Sequence, residues 1–568
     1  MAGDQASQAM DAVFMALGWR GRFQMVQIVQ WLLCVFPLAY HILSVVFIAK
    51  DNPHKCREVN NSSSVVGWPD DVINVTYGKC SVTLLNVSGE SLEMPCPQGL
   101  EFADPVDHSM MSEWELVCEN EALSDVSQTL LLLGMCVGAV LFTSLADKYG
   151  RKPFTIGCQV GLMVTAAAQA FVPNFFAFLP LRFFLGAFQQ GTGLTAGILS
   201  LEVLPTQFRY TQSVAGCFLW SFAMVFMATV AFLMRDLPWR YLQLAFAIFS
   251  LYCLLQIWFS DESLRWLVAN GKIKRAERVL KRAARMNGAN EQDVLTVFRE
   301  KALKHAHHPI DTSSKLKPPH ADGQQNGALV PEEEADTTNY NILDFFRHRR
   351  VFVCACINGF AWMVNAMTYY GLSMTSVTLA DDMYVGFLLS ALVELPTAVA
   401  FFFMVEKVGR KRGCDVFHLV AGFSLLLSVA LPAMAGEGNA VQIVVIVLSL
   451  LGKFAISVSF AILFLYTPEQ FPTNLRNASL GTASMIGRIG GMLAPYSRTL
   501  GRHYPWAPGV IFGTCCILLP VLMRTLRETR GQELPQTIQE MTLYVTPPEK
   551  GDKSDKKHKL PKQKSAPV

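Results

Sequence analysis

Charge is scarce in this chain. Only 16% of its 568 residues are Asp, Glu, Lys or Arg, against roughly a quarter in a soluble domain. Half the residues are apolar, and the charges that exist sit in clusters. This balance excludes an ordinary soluble domain and favours an integral membrane protein. The net charge is only +3, so nothing points to nucleic acid. Also absent are a Walker loop, a zinc-ligand motif and a nucleophile elbow. No enzyme chemistry, cofactor or metal is therefore expected, and work done by the protein must draw on a gradient or on exchange. The first twenty residues lack a basic stretch followed by an apolar run and a small-residue cleavage site. Insertion is then expected to be led by the first apolar span.

What the chain has in quantity is long apolar runs. A span needs about 20 apolar residues to cross about 30 Å of hydrocarbon. Twelve stretches qualify: 24–48, 127–146, 154–172, 177–203, 212–234 and 241–259, then 351–373, 384–405, 414–435, 441–466, 478–498 and 507–525. The expected fold is all-α, twelve transmembrane helices in two six-helix bundles. Its expected parts are a cytoplasmic N-terminus (1–23), an N-terminal bundle (24–259), a cytoplasmic linker (260–350), a C-terminal bundle (351–525) and a cytoplasmic tail (526–568).

The insert 49–126 holds acceptor sequons at Asn60, Asn61, Asn74 and Asn86, with Cys56, Cys80, Cys96 and Cys118 beside them. Sequons and an even cysteine count suggest an extracellular, glycosylated and disulfide-bonded loop. Four cysteines allow three pairings, and the sequence does not choose. Lys148, Arg151 and Lys152 follow span 2, and Lys407, Arg410, Lys411 and Arg412 follow span 8. A basic helical stretch, Gly271 to Arg285, opens the linker. These bases mark the cytoplasmic side. Twelve spans put all of them on one face and the sequons on the other, with both termini inside. The expected location is the plasma membrane.

The two halves echo each other. Asp147-Lys-Tyr-Gly-Arg-Lys152 after span 2 matches Glu406-Lys-Val-Gly-Arg-Lys411 after span 8. Glu202-Val-Leu-Pro-Thr-Gln-Phe-Arg209 after span 4 matches Glu469-Gln-Phe-Pro-Thr-Asn-Leu-Arg476 after span 10. A weaker pair is Asp261-Glu-Ser and Arg527-Glu-Thr. Matched elements at matched positions are what parallel repeats of a major facilitator produce. Gly150 and Gly409 permit tight turns. Arg151, Lys152, Arg209, Arg410 and Arg476 can pair with Asp147, Glu202, Glu406 and Glu469 in one conformation and release them in another. These residues read as a cytoplasmic gate; bases serving only the positive-inside rule would need no matched acids.

At these motifs the chain resembles the solute carrier 22 family of organic cation, anion and zwitterion transporters. The resemblance runs through Gly18-Trp-Arg-Gly-Arg-Phe-Gln24, the large outer loop, Ser112-Glu-Trp-Glu-Leu-Val-Cys118, Tyr369-Tyr-Gly371 and the stretch Tyr466 to Arg476. Asp261-Glu-Ser-Leu-Arg-Trp-Leu267 is similar to a family element that has prolines where Asp261 and Leu264 stand. The resemblance implies a major facilitator fold and alternating access to a central site.

Ionisable residues within spans are costly and become functional candidates. Arg488 lies on a face with Gly481, Ser484, Gly491 and Pro495 in span 11. In a partly wet cavity a charge pair about 4 Å apart is worth roughly 4 kcal/mol at an effective dielectric of about 20, enough to set charge preference. The resemblance implies an acid here in cation carriers and an arginine in anion and carnitine-type carriers. The alternative is that Arg488 pairs with an acid such as Glu394 and serves packing. Lys453 in span 10 and Glu394 in span 8 are further candidates, and Glu394 can neutralise either base or bind a cation. His41 reads as a hydrogen-bonded helix residue before a proton relay. Trp220, Trp362, Tyr369, Tyr370 and Tyr466 are aromatic candidates for the cavity, with packing the competing role. Gln190 lies among the glycines of span 4, where close helix contact is the main reading. The expected function is alternating-access transport of small organic ions, anions or zwitterions such as carnitine-like or amino-acid-like molecules. A sodium ion, a proton or a counter-anion is the expected coupling partner, and membrane lipid the solvent. The alternatives are an organic cation carrier and, in another class, a membrane receptor or regulator that does not transport.

Overall fold

A computed structural model describes residues 2–59, 72–87, 90–303, 347–436, 438–472 and 475–532, with positions 535 and 541. Asn60 and Asn61 lie outside the described residues. Helices occur at all twelve expected positions, in order Arg22–Ile48, Glu121–Tyr149, Arg151–Gln169, Phe175–Glu202, Arg209–Leu233, Trp239–Phe259, Arg349–Thr375, Met383–Lys407, Arg410–Ala435, Asn439–Glu469, Arg476–His503 and Ala507–Met523. They are called spans 1 to 12 below. Among the described residues, eight are long and apolar enough by composition to cross a membrane. Spans 3, 4, 11 and 12 are the shorter or more polar ones. Span 4 carries Arg182, Gln189 and Gln190 on faces buried by other helices, so its polarity turns inward.

Spans 1, 8 and 11 break where proline removes a backbone donor, span 11 between Leu493 and Tyr496 at Pro495. Span 1 is three helices, Arg22–Leu32, Val35–Leu43 and Val45–Ile48. Pro37 cannot give the Leu33 carbonyl its helical partner. Span 8 stops at Leu392 and resumes at Thr397. There the N–H groups of Glu394 and Leu395 turn to carbonyls three residues back, and Pro396 offers none. Glu394 sits in that break. Elsewhere packing is close: a Cβ on Gly186 would fall 1.9 Å from the Leu131 carbonyl oxygen, so spans 2 and 4 touch backbone to backbone.

The outer insert is a small β unit. Strands β1 (His54–Cys56) and β5 (Leu100–Phe102) pair, and β2 (Val72–Tyr77), β3 (Ser81–Asn86) and β4 (Ser91–Pro95) form a meander, all antiparallel. Disulfides join Cys56 to Cys96 and Cys80 to Cys118. The Asn74 side chain is exposed on β2, while Asn86 is half-buried at the end of β3. The end of the insert is tied to the membrane bundle. Glu113 accepts from Arg240 Nη2 (2.6 Å) and Trp239 Nε1 (2.6 Å) at the start of span 6. Trp114 packs against Phe175, Phe178 and Trp239.

On the opposite face, the helices Ala2–Leu17, Ile273–Asn287 and Glu291–Val297 share a separate apolar core with Trp266 and Leu267.

Candidate functional site

The middle of the molecule holds a chain of buried polar contacts across the two halves. Trp220 Nε1, in span 5, donates to the Tyr369 hydroxyl in span 7 (2.8 Å). That hydroxyl donates to Glu394 Oε2 (3.1 Å). Glu394 Oε1 lies 3.1 Å from the Lys453 ammonium of span 10, both side chains almost wholly buried. Lys453 also bonds the Tyr369 carbonyl (3.1 Å) and Ser373, and sits 3.6 Å from the centre of the Tyr369 ring. Ser221 donates to the Glu394 carbonyl (3.0 Å), which also accepts from the Thr397 N–H (3.1 Å) where span 8 resumes.

Arg488 stands apart from this pair. Its Nη2 donates to Gln190 Oε1 of span 4 (2.9 Å), and its Nη1 lies 3.9 Å from the Met135 sulfur of span 2. The Tyr370 hydroxyl lies against it. The guanidinium therefore reaches from the C-terminal half into the N-terminal one and is half-buried. Among the described residues no carboxylate lies within ion-pair distance of it. Glu394 takes Lys453 instead.

Two aromatic candidates lie elsewhere. Tyr466 is fully buried and donates to the Arg527 carbonyl (2.8 Å), just beyond span 12. Trp362 is buried, donates to Thr467 (2.9 Å) and packs on Phe460 and Phe464. Both contacts stay within the C-terminal half. His41 is fully buried beside Arg182, whose charge acts on it. Arg182 is an intramembrane cation that sequence reasoning passed over, because the glycine stripe of span 4 drew the reading toward packing. It donates to Gln128 Oε1 (2.7 Å).

The repeated motifs form two matching clamps. In the first half Arg151 pairs with Asp147 (3.3 Å) and with Glu202, and Ser263 Oγ donates to Glu202 (2.5 Å). In the second, Arg410 lies 3.4 Å from Glu469, and Thr529 Oγ1 donates to Glu469 (2.5 Å). The weak third repeat supplies the centre of each. Glu262 accepts from the Lys152 N–H (3.1 Å), and Glu528 from the N–H groups of Arg410 (2.8 Å), Lys411 (3.3 Å) and Arg412 (3.1 Å). Each carboxylate thus meets the free donors at the first turn of a helix. The glycine before that turn is required twice over. Gly150 and Gly409 have φ of +112° and +121°, and a Cβ there would fall 2.7 Å from Glu262 and 2.6 Å from Glu528. Burial pushes the Glu262 carboxyl above the usual glutamate range, offset only in part by the backbone N–H bonds. Burial acts the same way on Glu528, but its larger set of backbone donors outweighs it and holds that carboxyl below the usual range.

Not every repeated position takes part. Glu406 is exposed and forms no ion pair among the described residues, unlike Asp147. Lys411 reaches Asp415 (3.1 Å), whereas Lys152 donates to the carbonyls of Ile257 (3.0 Å) and Ser260 (2.5 Å). Arg209 lies near Arg265, Asp11 and Glu202, and Arg476 donates to the Phe471 carbonyl (3.1 Å). The ion pairs of Arg151 and Arg410 each stay inside one half.

Between the halves, ion pairs gather at the outer face. Arg498 and Arg502 of span 11 meet Asp51, and Arg502 also meets Glu121. Thr499 donates to Asp125 (2.5 Å) and Arg498 to the Ala49 carbonyl (3.0 Å). Phe47 packs on Tyr384 and Phe387 beside them. The sequence reading had no reason to single out these residues, because they lie at span ends, where charge is ordinary.

Comparison with known proteins follows this geometry. Residues 106–541 match the family described as sugar (and other) transporter. The chain is 30% identical over 561 residues to solute carrier family 22 member 6-B of Xenopus laevis, covering 94% of each chain. It is 27% identical over 536 residues to organic anion transporter 3 of Homo sapiens, covering 92% of each. It is 27% identical over 545 residues to the organic cation transporter protein of Drosophila melanogaster, covering 93% of this chain and 94% of that one. Among solved structures, the proton:xylose symporter XylE bound to 6-bromo-6-deoxy-D-glucose aligns with a TM-score of 0.54 at 16% identity, covering 94% of this chain and 99% of that one. An inward-open form of the xylose transporter XylE from E. coli aligns with a TM-score of 0.55 at 14% identity, covering 92% and 98%.

Proposed function

This chain belongs to the solute carrier 22 family of major facilitator transporters, a multi-pass carrier of organic ions in the plasma membrane, and on that premise we propose that it selects organic anions or zwitterions. One observation carries the choice of charge. The buried Glu394 is already neutralised by Lys453 at 3.1 Å, while the half-buried Arg488 has, among the described residues, the neutral partners Gln190, Met135 and Tyr370. The charge left over at the boundary of the halves is positive. Named relatives include both an anion and a cation transporter, so similarity alone leaves the sign open, and Arg488 supports the reading of an anionic group. A substrate carboxylate takes the place of Gln190 as acceptor, and a guanidinium holds two oxygens in one plane. Tyr370 and Trp220 supply aromatic faces nearby, and carnitine-like or amino-acid-like zwitterions fit such a site. A sodium ion, a proton or a counter-anion drives net movement.

Uptake of labelled organic anions, zwitterions and cations into expressing cells tests this. Arg488→Met is expected to lower kcat/KM for anions by roughly ten- to a hundredfold, the worth of a hydrogen bond to a charged group, and Arg488→Asp further. Unchanged anion uptake in both, at equal surface expression, removes Arg488 from selectivity. Repeating the uptake without sodium and at two pH values identifies the coupling ion.

A further inference from the structure

The cytoplasmic helix Ile273–Asn287 has more basic residues than acids to hold them. Its apolar face, Ala276, Leu280, Ala283 and Ala284, is buried. On the polar face Lys281 and Arg285 meet Glu291 (3.3 and 3.4 Å), and Arg282 meets Asp261 (3.2 Å). The helix's own acid, Glu277, is held by Arg299 (2.9 Å). Lys274, Arg275 and Arg278 are exposed and form no ion pair among the described residues.

The helix is fastened to the inner ends of three spans. Asn287 Oδ1 accepts from the Phe23 N–H (2.9 Å) in the first turn of span 1. Lys272 lies over the Trp266 ring (4.1 Å), and Trp266 Nε1 donates to the Asp147 carbonyl (2.8 Å) near the end of span 2. Arg282 reaches Asp261, two residues beyond span 6. Pinned at both ends and between, the helix lies across the inner ends of spans 1, 2 and 6. Arg275, Arg278 and Arg282 are spaced i, i+3 and i+7 and share one line along it. Since Arg282 turns toward the end of span 6, Arg275 and Arg278 turn to the same side.

We propose that Arg275 and Arg278, with Lys274, bind the phosphate headgroup of an anionic phospholipid in the cytoplasmic leaflet. A planar guanidinium matches phosphate oxygens in pairs, and the anionic leaflet favours basic side chains close to it. The bound lipid holds the helix, and through Asn287 the first turn of span 1, against the membrane.

The test titrates the purified full chain in neutral detergent with phosphatidylinositol bisphosphate and counts bound lipid by native mass spectrometry. Saturable binding is expected, with the Arg275→Gln/Arg278→Gln variant needing about thirtyfold more lipid for equal occupancy. An outer-loop control, Lys55→Gln/Lys79→Gln, should bind like the unaltered chain. Arg275→Lys/Arg278→Lys keeps the charge without the fork and should fall between. Both arginines are exposed, so lipid-free thermal unfolding should not change. Equal lipid binding by the glutamine variant and the unaltered chain overturns the proposal. Equally tight binding of soluble inositol trisphosphate overturns the lipid as its ligand.

Discussion

Lys453 and Glu394 form an ion pair sealed inside the membrane-spanning region. A buried pair gains stability only with good geometry and further hydrogen bonds, and removing one partner typically costs about 3–5 kcal/mol. Tyr369 and Ser373 provide those further bonds, and Trp220 holds the Tyr369 hydroxyl in place. Lys453→Met should therefore sharply reduce folded yield, because it strands the Glu394 carboxylate. Lys453→Met/Glu394→Leu should restore yield, measured as surface expression and monodispersity. If that double variant also transports at the original rate, the pair serves packing alone. At this scale the candidates were legible in the sequence and their partners were not. Arg488, Lys453 and Glu394 stood out because charge in a span is rare. That Glu394 would choose Lys453 over Arg488 depends on which helices meet at the break in span 8.

At the scale of elements, the cytoplasmic clamps turn two repeats into structure. Each joins a helix start to a carboxylate some 110 residues or more away in sequence. The two clamps should respond oppositely to pH. Glu528 is held low, so its contribution is complete above the usual glutamate pKa and is lost as pH falls through the depressed value. Glu262 is held high, so its contribution is greatest below the usual pKa and is lost as pH rises through the raised value. After correction for intrinsic rates, acidification should speed hydrogen exchange at the Lys152 amide at a higher pH than at the Arg410–Arg412 amides, because Glu262 takes its proton before Glu528 does. At neutral pH, Glu528→Gln should lower stability by about 1–3 kcal/mol and Glu262→Gln by less, read as thermal midpoints. Equal shifts would mean that the two carboxylates are equivalent. The glycine and the arginine of each clamp were legible as a repeat. Glu262 and Glu528 were visible only as a weak similarity, since a three-residue match says little until it lands on a helix start.

The whole molecule is held shut on its outer face. Arg498 and Arg502 of the second half grip Asp51 and Glu121 of the first, while the cytoplasmic clamps act within each half. Burial pushes the Asp51 carboxyl up, but the two arginines more than offset it and hold it below the usual aspartate range. This latch should therefore persist to pH values below that range. Arg498→Ala/Arg502→Ala should shift the population toward an outward-open form. Spin labels at outer positions of spans 1 and 7 would report longer distances, and outer-face cysteines would react faster. Unchanged distances would show that Phe47, Tyr384 and Phe387 suffice to close that face.

Hydrophobic runs, loop charges and paired motifs were enough to specify twelve helices and two related halves, and the family came from resemblance at signature stretches such as Ser112 to Cys118. Such features are local: a span must be apolar along its own length, and a repeat is visible wherever it lies. Partner choice is not local. Which acid neutralises Lys453, which carboxylate meets Gly150 or Gly409, and which surface closes between Arg502 and Glu121 all depend on distances across the bundle. Arg488, Lys453 and Glu394 stood out in the sequence and Arg182 did not, and only the arrangement of helices in space decided that Glu394 takes Lys453 and that Arg488 keeps neutral partners among the described residues.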